Sequence, residues 1–199
     1  MNGLIIFIKN PIKGKVKTRI AATTGDEKAL AIYQQLLNFT CGLTKKIECK
    51  RFLFYSDFIE KNDDWDNDFF EKNTQHGDGL GDRMKNAFAF IFSKNIKKVL
   101  IVGSDCAELN EKIINDAFYA LDKHDFVLGP ADDGGYYLLG MTSFEPTVFD
   151  NITWSSSEVL SKTIENIEHL DKNYFLLPVL SDTDTEEDWL RVKHLCTNK

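Results

Sequence analysis

The chain has 199 residues, 43% of them hydrophobic and 15 of them phenylalanine, and carries a formal net charge of −7. That much apolar surface excludes wholesale disorder, and the lack of a Pro/Gly/Ser-rich linker implies one domain over residues 1–199. The acidic balance excludes binding to a nucleic-acid backbone, and no apolar run is long enough for a membrane span or flanked like a signal peptide, so the expected setting is cytoplasmic.

Short apolar runs alternate with longer helical patterns, the rhythm of an α/β chain with a largely parallel sheet. Leu4–Ile8 reads as the first strand. Behind it, Lys9 to Arg19 holds five cations and no carboxylate in eleven residues, with Pro11 and Gly14 breaking any early helix. Asp26 to about Ile47 has a near-3.6 apolar period, with Asp26 placed as N-cap after Gly25. Phe52–Tyr55 is the second strand, whereas Ser56 to Asn73 mixes aromatics and acids and specifies no element. Gly81 to Ser93 reads as helix, Val99–Val102 as a buried strand and Asn110 to Leu121 as a helix capped by Asn110. Phe126–Leu128 and Tyr136–Met141 are strands around an Asp/Gly turn. Ser155 to about Ile167 is helical, Tyr174–Leu180 is a strand, and Thr185 to Leu195 is a helix opening on a T-E-E-D capping box.

In open α/β sheets ligands bind beyond the carboxyl ends of strands, which directs attention to the polar residues after each apolar run. The cationic stretch is either a loop that wraps phosphate oxygens or a solvated lysine-rich loop. In V-L-I-V-G-S-D-C, Asp105 at a strand end is placed to ligate a hard cation such as Mg²⁺ or Mn²⁺, or else caps a turn. Asp132 and Asp133 with Gly134 and Gly135 either contact substrate hydroxyls, one acid serving as general base, or form a plain hairpin. Asp182 or Asp184, after the last strand, supplies a second carboxylate or caps the last helix.

The loop Q-H-G-D-G-L-G-D-R-M has no strand leading into it and does not match a dinucleotide fingerprint; Gln75, Gly77 and Gly79 either line a base or sugar pocket or form a flexible loop before a helix, with Arg83 as an ion-pair or phosphate contact. No His or Ser pattern supports zinc hydrolysis or a serine triad. Cys41, Cys49, Cys106 and Cys196 form no C-x-x-C pair, and Cys106 reads as a small buried hydrophobe.

Taken in order, K-N-P-I-K-G-K-V-K-T-R, G-D-G-L-G-D-R-M, G-S-D-C, G-P-A-D-D-G-G-Y-Y-L-L-G, the W-S-S at 154 to 156 and D-T-D-T-E-E-D resemble the DUF2064 family over about Leu4 to Trp189. These are small bacterial proteins of the GT-A, or nucleotide-diphospho-sugar transferase, superfamily, regarded as glycosyltransferases and in some cases linked to arsenosugar biosynthesis. Ala107 departs from the proline usual after G-S-D-C. The resemblance implies a Rossmann-like three-layer α/β/α sandwich with a mostly parallel central sheet. It also implies phosphate contacts at Lys9, Lys17 and Arg19, leaving Lys13 and Lys15 facing solvent. Asp105 would be the metal aspartate and Asp184, or less directly Asp182, the second carboxylate. Asp132, Asp133, Gly134, Gly135 and Tyr136 would face the transferred group or acceptor, with Trp154 of W-S-S beside them. More distantly, the K-T-R loop and D-G-G turn are similar to those of phospholactate guanylyltransferase.

Three functions follow as expectations. In the first, a nucleotide-diphospho-sugar and a small acceptor meet in a metal-dependent glycosyltransferase: Asp105 binds the ion, Lys17 and Arg19 stabilise the leaving diphosphate, and Asp133 takes the acceptor proton. In the second, a nucleoside triphosphate is attacked and pyrophosphate leaves. The third is a non-catalytic nucleotide-binding protein on the same fold. No residue pattern sets the base, the sugar or the oligomeric state.

Overall fold

A computed structural model of the chain describes residues 1–197. Seven strands, β1 (Asn2–Ile8), β2 (Lys50–Tyr55), β3 (Phe70–Thr74), β4 (Lys98–Val102), β5 (Phe126–Pro130), β6 (Tyr136–Met141) and β7 (Tyr174–Leu176), form one sheet in the order β3-β2-β1-β4-β6-β5-β7. Among the described strands β6 alone runs against its neighbours, β4 and β5. The central strands are covered on both faces, which is why they read as unbroken apolar runs. Leu4, Ile6, Leu100 and Val102 pack on one side, and Ile5, Phe7, Val99 and Ile101 on the other.

The described residues form six α-helices, α1 (Thr18–Thr24), α2 (Asp26–Lys45), α3 (Leu80–Phe92), α4 (Glu111–Ala120), α5 (Val159–His169) and α6 (Glu186–Thr197), of which α2 and α4 cover one face of the sheet and α3 and α5 the other. The first core holds Tyr33 and Leu37 of α2 with Ile114 and Phe118 of α4; the second holds Met84, Phe88 and Ile91 of α3 with Ile167 of α5. Outside α2, a third cluster joins Ile20 of α1 to Trp189 and Val192 of α6. The result is a three-layer α/β/α sandwich. None of the described helices is long and apolar enough to cross a membrane.

Several boundaries depart from the sequence expectation for physical reasons. β3 lies in the stretch that specified no element, because Phe70 is its one buried residue and the alternation is too short to register. It also leads directly into the 75–84 loop, so that loop does follow a strand. Helix α1 was not anticipated: its seven residues show little apolar period, with Ile20 alone buried. Gly25, and not Asp26, is the N-cap of α2, and no side chain caps that end. The expected strand Tyr174–Leu180 pairs only to Leu176; Pro178 cannot donate to a ladder, and Leu180 makes one isolated bridge to Ala131. α5 begins at Val159, since Ser155 has a φ of 64° that a helix does not admit. By contrast, Asn110 accepts from the Ile113 amide at 3.1 Å, and Thr185 and Asp188 exchange side-chain to backbone bonds at the start of α6, as their sequences imply.

Candidate active site

From β1 the chain winds outward through β2 to β3, then returns to the opposite side of β1 as β4. The switch point of the sheet therefore lies between β1 and β4, where diverging loops leave a crevice at the carboxyl edge. Lys9 to Arg19 follows β1, and Gly103 to Cys106 follows β4. Because β6 is antiparallel, the turn Ala131–Gly135 between β5 and β6 opens onto the same edge. After Leu180 pairs with Ala131, the chain crosses back and the Thr183 amide donates to the Asp105 carbonyl at 2.9 Å. All four polar junctions thereby meet.

They line a cleft of about 680 Å³, a volume suited to a nucleotide-sized ligand. Lys9, Lys17, Arg19, Gln75, Asp105, Asp133, Gly135, Tyr136, Trp154, Asp182 and Asp184 all border it. Gly77, Gly79, Asp132 and Gly134 do not. Gly77 has a φ of 135°, and a Cβ there would meet Asp82 at 2.6 Å, so this glycine answers to the start of α3. Gly79 is the N-cap of that helix. Asp132 accepts from the Ser181 hydroxyl at 2.5 Å, tying the turn to the segment after β7. Gly134, at a φ of 88°, lies so close to the Ser157 backbone that a Cβ would overlap it. Gly134→Ala is therefore expected to destabilise by about 2 kcal/mol or more, through both the left-handed φ and the clash. The check is a thermal melt, which should fall by several degrees; an unchanged midpoint would refute this packing account.

Lys17 occupies the left-handed region, with φ and ψ both 47°, at the N-cap of α1. A lysine there costs about 1 kcal/mol, and the conformation goes with a side chain turned inward, only 5% exposed. Its Nζ lies 2.8 Å from Asp105 and 3.4 Å from Asp184. Arg19 reaches the other oxygen of Asp184 at 3.2 Å. Burial acts to lower the Lys17 pKa, but the two carboxylates outweigh it and hold the ammonium above the ordinary lysine value. Asp182 behaves oppositely. Burial, reinforced by the Asp105 charge and only partly opposed by Lys17, pushes its carboxyl up to about 7.

Lys13 pairs with Glu27 at 2.7 Å on the surface, and Lys15 is exposed, in line with their expected places. Lys9 is also exposed, and neither Lys9 nor Lys15 forms an ion pair among the described residues. Gln75 borders the cleft, yet its amide donates to the Ile8 and Phe54 carbonyls at 3.1 and 3.0 Å and so ties the ends of β1 and β2. Arg83 donates to Gln75 and to the Gly77 carbonyl. Asp133, which lines the cleft, accepts from the Gly135 amide at 2.8 Å through one carboxylate oxygen. The Cys106 thiol is buried and pushed up to about 12 by burial and by the Asp182 charge, which fits a packing role.

The sequence reading missed the group that joins the two halves of the site. The Tyr33 hydroxyl receives the Lys9 amide at 2.8 Å, contacts the Lys9 carbonyl at 3.1 Å and lies 3.2 Å from the Ser104 hydroxyl. Asn10, 2% exposed, accepts from the Asp57 amide and donates to the Phe58 carbonyl, fixing the first residues of the cationic loop. Tyr33 lies within the apolar period of α2 and Asn10 within a loop, so neither pattern signalled a polar hub. The remaining wall is apolar and aromatic: Leu80, Met84, Tyr136 and Trp154, with the Trp154 indole lying over the bare face of Gly81.

Among the described residues no group of three or more His, Cys, Asp or Glu could hold a metal ion. Asp105 and Asp184, each about 40% exposed and both facing one ammonium, instead offer one or two hard oxygen donors. That set fits Mg²⁺ or Mn²⁺, which completes its octahedron with water and phosphate oxygens.

A mostly parallel sheet, loops of opposite charge at its switch point and a nucleotide-sized cleft define an α/β transferase-type site, and the fold matches that of a nucleotide-diphospho-sugar transferase (GT-A type). The chain belongs to the DUF2064 family, "Uncharacterized protein conserved in bacteria", whose model matches residues 40–156. The crystal structure of a candidate nucleotide-diphospho-sugar transferase from Desulfovibrio desulfuricans G20 is similar at 29% identity, covering 92% of this chain and 82% of that one with a TM-score of 0.86. A cytidylyltransferase from Leptospira borgpetersenii shares the fold at 15% identity (94% and 83% covered, TM-score 0.55). So does the inositol-1-phosphate CTP transferase of T. maritima at 11% identity (98% and 94% covered, TM-score 0.56). Comparison with curated proteins returns no match.

Proposed function

We propose that this protein is a metal-dependent glycosyltransferase that moves a sugar from a nucleotide-diphospho-sugar to a small acceptor. The observation carrying this reading is the meeting, at one switch point, of Lys17 and Arg19 with Asp105 and Asp184 beside an aromatic wall. The likeness to the Desulfovibrio protein, at 29% identity, supports the same reading.

In this reading Lys9, Lys17 and Arg19 hold the diphosphate oxygens, and Tyr33 keeps the loop at its distance from β4. Asp105 and Asp184 would hold Mg²⁺ or Mn²⁺, whose positive charge, when bound, neutralises the diphosphate leaving group. Asp133 presents its other carboxylate oxygen to the acceptor hydroxyl and takes the proton as the sugar carbon exchanges its bond to the diphosphate for one to the acceptor. Tyr136 and Trp154 offer flat apolar faces against which a base or sugar ring can rest. Gln75 contributes by setting the strand ends.

Nucleotidyl transfer is the competing chemistry, and the same cations and carboxylates would serve it; the likeness to the Desulfovibrio protein, at 29% identity, favours glycosyl transfer. The test is to incubate the protein and Mn²⁺ or Mg²⁺ with panels of nucleotide sugars and nucleoside triphosphates. Free nucleoside diphosphate, formed from a nucleotide sugar, is expected; pyrophosphate release from a triphosphate would overturn the glycosyltransferase reading.

A further inference from the structure

The loop that looks strongly cationic in sequence opens onto a cleft that is not cationic in space. Its charged lining comprises three cations, Lys9, Lys17 and Arg19, against four carboxylates, Asp105, Asp133, Asp182 and Asp184. A bare di- or triphosphate approaching this wall meets repulsion and finds two of the three cations occupied. Asp184 is the residue that occupies both, one oxygen on Lys17 and the other on Arg19.

We propose that Asp184 is a specificity-determining residue that closes the loop to free phosphate anions, releasing Lys17 and Arg19 only when its carboxylate turns to a divalent ion. This rests on the reading that Lys17 and Arg19 hold phosphates. The ligand class the site accepts is thus the metal chelate of a phosphate ester, and sulfate, phosphate or an unchelated nucleotide is rejected. The geometry allows such an exchange: Arg19 is 76% exposed and Asp184 41% exposed, so neither is locked by packing. Lys17, 5% exposed and also held by Asp105, stays in place while its second partner leaves. By linkage, occupation by the ion and by the phosphate strengthen one another reciprocally.

The experiment measures binding of inorganic pyrophosphate by calorimetry, first in metal-stripped buffer and then with Mn²⁺, for the wild type, Asp184→Asn and Glu187→Gln, and binding of Mn²⁺ alone by electron paramagnetic resonance. Glu187 is exposed, lies three residues away and contributes the same charge change without touching Lys17 or Arg19. Asp184→Asn should bind metal-free pyrophosphate about tenfold more tightly than wild type, within the usual range of coupling energies, while binding Mn²⁺ more weakly. Glu187→Gln should match the wild type in both. If Asp184→Asn leaves metal-free pyrophosphate binding unchanged or weaker, or if Glu187→Gln tightens it equally, the gate is disproved while the phosphate site stands. Failure of all three proteins to bind pyrophosphate with or without Mn²⁺ would instead remove the functional reading on which the gate rests.

Discussion

Replacing Lys17 by methionine is expected to lower turnover by at least about a hundredfold, the scale on which removal of a preorganised charge-stabilising group acts. Methionine keeps most of the buried stem, so the change isolates the ammonium. Stability should fall as well. Breaking a buried ion pair costs about 3 to 5 kcal/mol, but Asp105 and Asp184 are each about 40% exposed, so solvent screening reduces the loss to roughly 1 to 3 kcal/mol. Lys17 is also a charge that holds the Asp182 pKa down. Without it that carboxyl rises further, and the stability deficit should be largest above pH 7 and shrink on acidification. Melts of wild type and Lys17→Met at pH 8 and pH 5, beside a turnover assay, test both parts. An equal deficit at the two pH values would show that the ammonium is not what compensates this cluster.

Asp182→Asn is expected to raise stability by an amount that grows as pH rises above about 4 and is full above about pH 7. The folded state keeps the carboxyl near 7, whereas an unfolded aspartate titrates at about 3.9. Between those values the folded chain holds a proton the unfolded chain releases, so stability falls as pH rises from about 4 to about 7 and levels off above. At pH 8 the wild type bears the whole penalty, on the order of 4 kcal/mol as an upper bound for a shift of this size. Asparagine resembles the protonated form and removes it. The melting gain should be several degrees at pH 8 and vanish near pH 4. A gain at pH 4 as large as at pH 8 would show that burial of the charge is not the cause. Mn²⁺ binding by the same variant separates the two candidates for second carboxylate: retained affinity assigns the role to Asp184, and lost affinity to Asp182.

The strands and helices were legible where periodicity and burial were strong. β1 and β4, buried on both faces, are continuous apolar runs, and α2, α3 and α4 carry clear apolar stripes. Elements with a single buried anchor were not: β3 depends on Phe70 and α1 on Ile20. At the site, residue types after strand ends located Asp105 and Lys9 to Arg19, since any open α/β sheet directs such residues to its carboxyl edge. Tyr33 escaped notice because a tyrosine on an apolar helix face looks like core, and only its hydroxyl tells otherwise. Gln75 was placed at the cleft, but its amide is engaged by main-chain carbonyls from strands that local sequence does not show to be adjacent.

By itself, then, the sequence determined the α/β class, the family motifs and which residues stand at the strand ends, because burial on two faces and helical period leave a local record. The tertiary structure alone decided the state of charge at the cleft. Lys17 and Asp184 are 167 residues apart, and nothing local announces that the ammonium is neutralised. A stretch of five cations is basic in sequence, yet Coulomb interaction depends on distance in space, and there the carboxylates that follow β4 and β7 answer it.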